Sequence, residues 1–400
     1  MTKTIRALTS GLMLLVCQAA LGVDIQYQGL KIPDQSGKAV TVMGSIEPDK
    51  LGRSLMHEHL FSTVWLPLSE PERWERAGRT QPTTQEQLDI RNAPFTAKNR
   101  TKFLSSPVKN IDAWSSDNLS NAIDEVNAYQ ELGGQTIVDV TNIGLGRKPS
   151  KLKEVSLRTN INIVMGTGFY RWEFHPEGLE NRSISDMTMT MVRDIVEGVG
   201  DTDIRAGIIG EIPTKSLVFS PKESEELRVL RASARASRLT GASISLRCPP
   251  GAKNQMRYLH KLLDIIEEEG ADLSRVALGH LAITANNFGY LETLLDRGVY
   301  LQYDTFALPY LAVYDNVGMI ESIKELVLNG YSKKILVSQD YVTKFTQTRF
   351  GGYGLTFIDS MLVPALRARG VDEAALKDII EENPKRILTF VEPRGLPVKQ

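Results

Sequence analysis

From about Val40 onward, short β-branched apolar runs alternate with longer amphipathic stretches, a pattern that demands a parallel sheet with crossover helices. Thr136-Ile137-Val138-Asp139-Val140-Thr141 reads as a strand, and Asn118 to Leu132 before it as a helix ending at Gly133-Gly134. Further strands are expected at Asn162 to Gly168, Ala206 to Gly210, Ala242 to Leu246, Val276 to Gly279, Val299 to Tyr303 and Lys334 to Ser338. Helical periodicity fills Glu223 to Leu239 and Gln255 to Glu269, the latter closed by Gly270. A closed (β/α)8 barrel and an open doubly wound sheet both satisfy this order. No Gly-rich phosphate fingerprint follows any strand, which removes the commonest reason to choose the open form. The least periodic stretch, Arg73 to Ser115, carries Pro82, Pro94 and Pro107 and reads as an excursion over the barrel mouth. No internal repeat or second domain is evident, so residues 23–400 are expected to form a single α/β domain.

The ends of the expected strands carry the chemistry, because in such barrels they form the catalytic face. Met56-His57-Glu58-His59 puts two imidazoles on one side of a strand. Glu211 follows Gly207-Ile208-Ile209-Gly210, His280 follows Val276-Ala277-Leu278-Gly279, and Asp340 follows Ile335 to Gln339. Taken singly, a strand-end acid is commonly a helix cap and a strand-end histidine a packing residue. Together the five side chains suit Zn2+ or a similar divalent ion. The chain has five histidines, and three of them stand at these ends.

Gly44-Ser45-Ile46-Glu47-Pro48 and Leu51 through Leu60 resemble the opening of phosphotriesterase-like proteins of the amidohydrolase superfamily. The resemblance continues through Val138 to Thr141, Gly144 to Arg147, Gly166 to Tyr170, Gly207 to Ile212, Gly279-His280-Leu281, Ile335 to Asp340 and Asn383 to Leu388. It implies a distorted barrel with a metal centre in its C-terminal mouth. His57 and His59 would hold a first ion with Asp340, Glu211 would bridge, and His280 would serve a second ion.

Two positions depart from that pattern. Arg247 stands where the family carries a strand-five histidine, and a guanidinium is no metal ligand at neutral pH. Three readings stay open. Arg247 replaces the second cation beside a single zinc, Cys248 substitutes as a ligand, or the centre has decayed into a binding site for a small anion. Ala282 stands where many relatives have an aspartate that helps carry a proton away, and a methyl group relays none. The resulting expectation is a metal-dependent hydrolase of an ester, lactone or amide, with phosphotriesters less favoured. Asp340 would be the general base and Arg247 the oxyanion or anion partner. Phe169-Tyr170-Arg171-Trp172 and His175 are candidate pocket residues, as are Lys344, Arg349 and Gly351 to Gly354.

Composition narrows the partners. Formal net charge is −1 and no long basic run occurs, so nothing points to nucleic acid, and a small-molecule substrate is expected. Lys3 and Arg6, the apolar Ala7 to Ala20 and the small residues around Ala20-Leu21-Gly22 read as a cleaved signal peptide over residues 1–22. A secreted or periplasmic protein without a stable membrane span follows. Cys17 would leave with the signal, so Cys248 would have no partner for an intramolecular disulfide. The resemblance makes a homodimer an expectation.

Overall fold

Eight parallel strands form one sheet: β1 (Ser54–Glu58), β2 (Thr136–Asp139), β3 (Asn162–Thr167), β4 (Ile208–Pro213), β5 (Ile244–Arg247), β6 (Val276–Gly279), β7 (Tyr300–Tyr303) and β8 (Ile335–Val337). The computed structural model describes residues 25–106, 109–215, 224–249, 251–306, 308 and 315–397, so the expected signal segment lies outside the described residues. Helices Leu119–Glu131, Pro149–Thr159, Ile184–Val196, Ser224–Thr240, Ala252–Glu268, Phe288–Leu295 and Asn316–Leu328 each connect one strand to the next. This is the expected (β/α)8 barrel. Among the described residues no helix is long and apolar enough to cross a membrane.

Alternation along the strands divides the core in two. Met56, Val138, Val164, Ile208, Ala277, Tyr300 and Leu336 meet in one cluster, the packed barrel interior. Their neighbours Leu55, Ile137, Ile163, Ile209, Leu278, Leu301 and Ile335 belong to the larger cluster beneath the helices. Two ladders break this alternation. Leu55 pairs with Ile137 and Glu58 with Asp139, one residue more on β1 than on β2. Ile209 pairs with Ile244 and Ile212 with Leu246, again with one extra residue, here on β4. Such bulges re-aim side chains, and these two come just where His57 and Glu211 leave the apolar layer.

The barrel closes through side chains and loop backbone instead of a regular ladder. His57 N–H donates to Ser338 Oγ (2.8 Å), and His59 N–H donates to the Tyr341 carbonyl (2.9 Å). The buried Glu58 carboxylate accepts from Ser338 Oγ (2.6 Å), Gln339 N–H (3.2 Å) and Tyr341 N–H (2.7 Å). One acid between the two histidines of β1 thus fixes the segment that carries Asp340.

The excursion after β1 contains helices Pro71–Ala77, Gln85–Asn92 and Arg100–Leu104. It is pinned to the loop after β8 by a Lys344–Asp112 ion pair and by Phe95 against Phe345, ring centroids 4.8 Å apart.

Candidate metal centre

His57, His59 and Asp340 each present one donor atom, all within 4.8 Å of one another, and all three residues are buried. Nε2 of His59 lies 3.4 Å from Asp340 Oδ1, and Nε2 of His57 lies 3.9 Å from the same oxygen. Glu211 faces both imidazoles, Oε1 at 3.6 Å from His59 and Oε2 at 3.6 Å from His57. Donors bound tetrahedrally to zinc at about 2.0–2.2 Å stand about 3.4 Å apart, so these separations fit an ion. His57 Nε2 and Asp340 Oδ1 are also buried without a hydrogen-bond partner. Leaving such atoms unsatisfied is costly, and a cation satisfies both.

The remaining ring nitrogens are held from behind. His59 Nδ1 contacts Thr141 Oγ1 at 3.0 Å. Asp304, directly after β7, brings Oδ2 to 3.1 Å from His57 Nδ1 and Oδ1 to 3.2 Å from His280 Nδ1. Gln302 Nε2 donates to Asp304 Oδ2 (2.8 Å), and the His280 N–H donates to Oδ1 (2.8 Å). A proton on Nδ1 directed at Asp304 leaves the Nε2 lone pair of each histidine facing the centre. Gly279 makes room for this: a Cβ there would lie 2.5 Å from Asp304 Oδ2. His280 and Asp340 adopt positive φ values of 60° and 54°, unusual for residues with a side chain.

His280 Nε2 lies 3.4 Å from Asp340 Oδ2, and with His57 and Asp304 it makes a second compact group of donors. Arg247 Nη1 donates to Glu211 Oε2 at 2.8 Å, which places a guanidinium against the carboxylate expected to bridge two ions. Burial would raise the Glu211 carboxyl, but Arg247 and then the histidines outweigh it and hold it below its ordinary value. Cys248 is buried in the larger apolar cluster, where burial and then Asp304 push its thiol up, and it belongs to neither compact group of donors. Ala282 sits in the turn Leu281–Thr284.

Some expected pocket residues serve other contacts. Both ring nitrogens of His175 are engaged, Nδ1 with Glu225 (2.9 Å) and Nε2 with the Tyr170 carbonyl (2.7 Å), so it locks the loop after β3. Lys344 pairs with Asp112, and Arg349 donates to Asn121 Oδ1 (2.9 Å); both tie elements together. Tyr170 is buried beside Arg247, its ring centroid 6.0 Å from Arg247 Cζ. Asp304, Gln302 and the latch acid Glu58 were not singled out from sequence. The strand-end position that reveals Glu211 also describes Asp304, which follows an apolar strand directly.

Eight parallel strands around this donor set make a barrel able to hold a divalent cation beyond its strand ends. The chain belongs to the phosphotriesterase family, whose model matches residues 37–388. It is 31% identical over 375 residues to a Dictyostelium discoideum protein named N-acetyltaurine hydrolase, covering 90% of this chain and 99% of that protein. The crystal structure of a resiniferatoxin-binding protein from Rhodobacter sphaeroides matches with a TM-score of 0.78 and 33% identity over 88% of this chain and 95% of that one. An Escherichia coli phosphotriesterase homology protein, complexed with phosphate in its active site, matches with a TM-score of 0.68 and 25% identity over 85% of this chain and 99% of that one.

Proposed function

We propose that this chain hydrolyses a carboxylic amide, ester or lactone, using a single zinc ion held by His57, His59 and Asp340 with Glu211 in reach. The observation that carries this reading is the pair of buried, unsatisfied atoms, His57 Nε2 and Asp340 Oδ1, directed at one point. The Dictyostelium relative's name, N-acetyltaurine hydrolase, supports an amide among these substrates. When bound, the ion supplies Lewis acidity and lowers the pKa of water at the centre.

The chain's own groups do the rest. Asp340 accepts the proton of the attacking water at Oδ2 and passes it toward His280 Nε2, 3.4 Å away. His280 in turn has Nδ1 against Asp304, whose negative charge stabilises the imidazolium. This route replaces the one that Ala282 lacks. Arg247 stands at the rim with its positive charge fixed by Glu211, positioned to stabilise the oxyanion that develops on the substrate.

A second reading, ligand binding without turnover, draws on the same Arg247–Glu211 pair, because it engages an oxygen of the carboxylate expected to bridge two ions. Elemental mass spectrometry on purified protein, with His57→Ala and Asp340→Ala beside it, tests the first reading. About one zinc per chain in the parent and none in the folded variants, with amide or lactone hydrolysis lost in parallel, is expected. A parent that takes up no zinc when it is supplied and turns over no amide or lactone would leave the binding reading in its place, whereas turnover surviving in folded His57→Ala would refute this ligand set.

A further inference from the structure

Five cationic side chains that follow or end four different strands lie close enough together to act on one another's charge. Arg79 and Lys109 come from the excursion after β1, Arg171 from the loop after β3, Lys215 from beyond β4, and Arg247 ends β5. Three carboxylates accompany them. Glu211 belongs to the candidate metal centre and takes Arg247. Glu173 is shared by Arg171 and by Lys215, whose Nζ lies 3.3 Å away. Glu226 accepts the Trp172 N–H at 2.9 Å and adds its charge near Arg171.

Arrangement matters more than the count. Arg171 and Arg247 flank one ring, with Cζ atoms 5.9 Å and 6.0 Å from the Tyr170 centroid. Lys109 places its Nζ 3.4 Å from the Trp114 ring centroid. Burial, and then the charges of Arg79, Arg171 and Arg247, push the Lys109 ammonium well below the ordinary lysine value, with Glu173 the opposing carboxylate. Arg79, an exposed residue overall, is lowered by local desolvation of its guanidinium and then by Arg171. Gathering like charges in partly desolvated space is unfavourable unless an anion occupies it.

We propose that Lys109 and Arg171, backed by Arg79 and Lys215, form an anion subsite for a compact oxyanion at the far end of the substrate. Sulfonate, carboxylate and phosphate monoester groups share this chemistry. Arg247 touches Glu211 of the candidate centre and shares the Tyr170 ring with Arg171 of the subsite, so it links the scissile-bond end of the substrate to the anionic end. The position of this subsite relative to the scissile bond rests on the hydrolase reading above. The binding of the anion does not.

The test separates the two. Calorimetric titration of the purified protein with methanesulfonate, acetate and inorganic phosphate at constant ionic strength, with neutral dimethyl sulfone as control, reads the subsite without turnover. Methanesulfonate is a poor metal ligand, so its heat reports the cations, whereas phosphate also senses the metal centre. Lys109→Met should weaken methanesulfonate by about tenfold or more, and Lys109→Arg should restore most of it. Because Arg171 is also held by Glu173, Lys109 is the safer position, and unchanged melting temperatures certify its variants. Equal methanesulfonate binding in the parent and Lys109→Met, or binding no stronger than that of dimethyl sulfone, overturns the subsite. Loss of binding in Lys109→Met in a protein that hydrolyses no amide, ester or lactone bearing such an anion sustains the subsite while removing the hydrolase reading.

Discussion

Asp304 holds Oδ2 3.1 Å from Nδ1 of His57, while its other oxygen reaches His280, so one carboxylate orients two of the three histidines at the strand ends. Asparagine has the same shape but offers an N–H where an imidazole N–H must be received. Asp304→Asn is expected to keep the fold and to weaken zinc about 10- to 100-fold, the usual consequence of losing a carboxylate behind a ligand. Competition with a chelator of known affinity measures it. An unchanged affinity would remove Asp304 from the design of the centre.

Gly279→Ala should reproduce much of that loss from the other side. The new methyl would lie 2.5 Å from Asp304 Oδ2 and 3.2 Å from both the Leu246 carbonyl and Gln302 Nε2. The oxygen that faces His57 Nδ1 must therefore shift. Weaker zinc binding together with a lowered melting temperature is expected; a variant with the parent's zinc affinity would mean that Asp304 tolerates displacement.

The alternation that reveals eight strands is legible because burying them demands apolar, β-branched runs, and Gly44 through Leu60 already resembles the family. Glu211, His280 and Asp340 are legible for a related reason: the first two come directly after such a run, and Asp340 follows one by way of Ser338 and Gln339. Asp304 meets the same description, yet a lone acid there is also the commonest helix cap. What makes it more than that is the approach of β1 and β6 to β7, and spatial neighbourhood is absent from local pattern. The same holds for Glu58, whose partners Ser338, Gln339 and Tyr341 lie some 280 positions away. The two bulges were hidden as well, since one extra residue in β1 or β4 changes no composition. His175, Lys344 and Arg349 illustrate the converse: residue type suggested a pocket, and each is engaged in holding loops together.

Arg247→His tests why a single ion is expected. With the guanidinium gone, Glu211 Oε2 is released from its 2.8 Å contact and an imidazole stands beside His280. Zinc content should rise from about one toward about two per chain. A variant that stays at the parent's content would show that something other than Arg247 excludes the second ion.

Glu58→Ala should cost roughly 3 kcal/mol or more, because it strands the buried N–H groups of Gln339 and Tyr341 and the Ser338 hydroxyl at the barrel seam. The loss should also displace Asp340, so zinc affinity and stability should fall together. Denaturant unfolding beside chelator competition distinguishes this latch from a merely buried acid: a destabilised variant with full zinc affinity would deny any link between the seam and the centre.

In chelated protein, stability should fall as the solution turns alkaline, and the reason is His280. Burial and then Arg247 act to lower its pKa, but Asp304 and Asp340 outweigh them and push it up to about 9. In the unfolded chain it returns to the ordinary 6.5. Between those values the folded state binds more protons than the unfolded one, so the contribution is fully present below pH 6.5 and is lost as pH rises through about 9. His57 is raised as well, with Asp304 overcoming its burial, and adds in the same direction. Zinc needs the unprotonated Nε2, so the stabilisation it brings should grow over the same window. Melting temperatures of chelated and zinc-loaded protein should therefore diverge from pH 6.5 to 9, and His280→Gln should remove much of the decline in the chelated form. A chelated parent whose melting temperature is flat or rising across that range would contradict the proton held between Asp304 and Asp340.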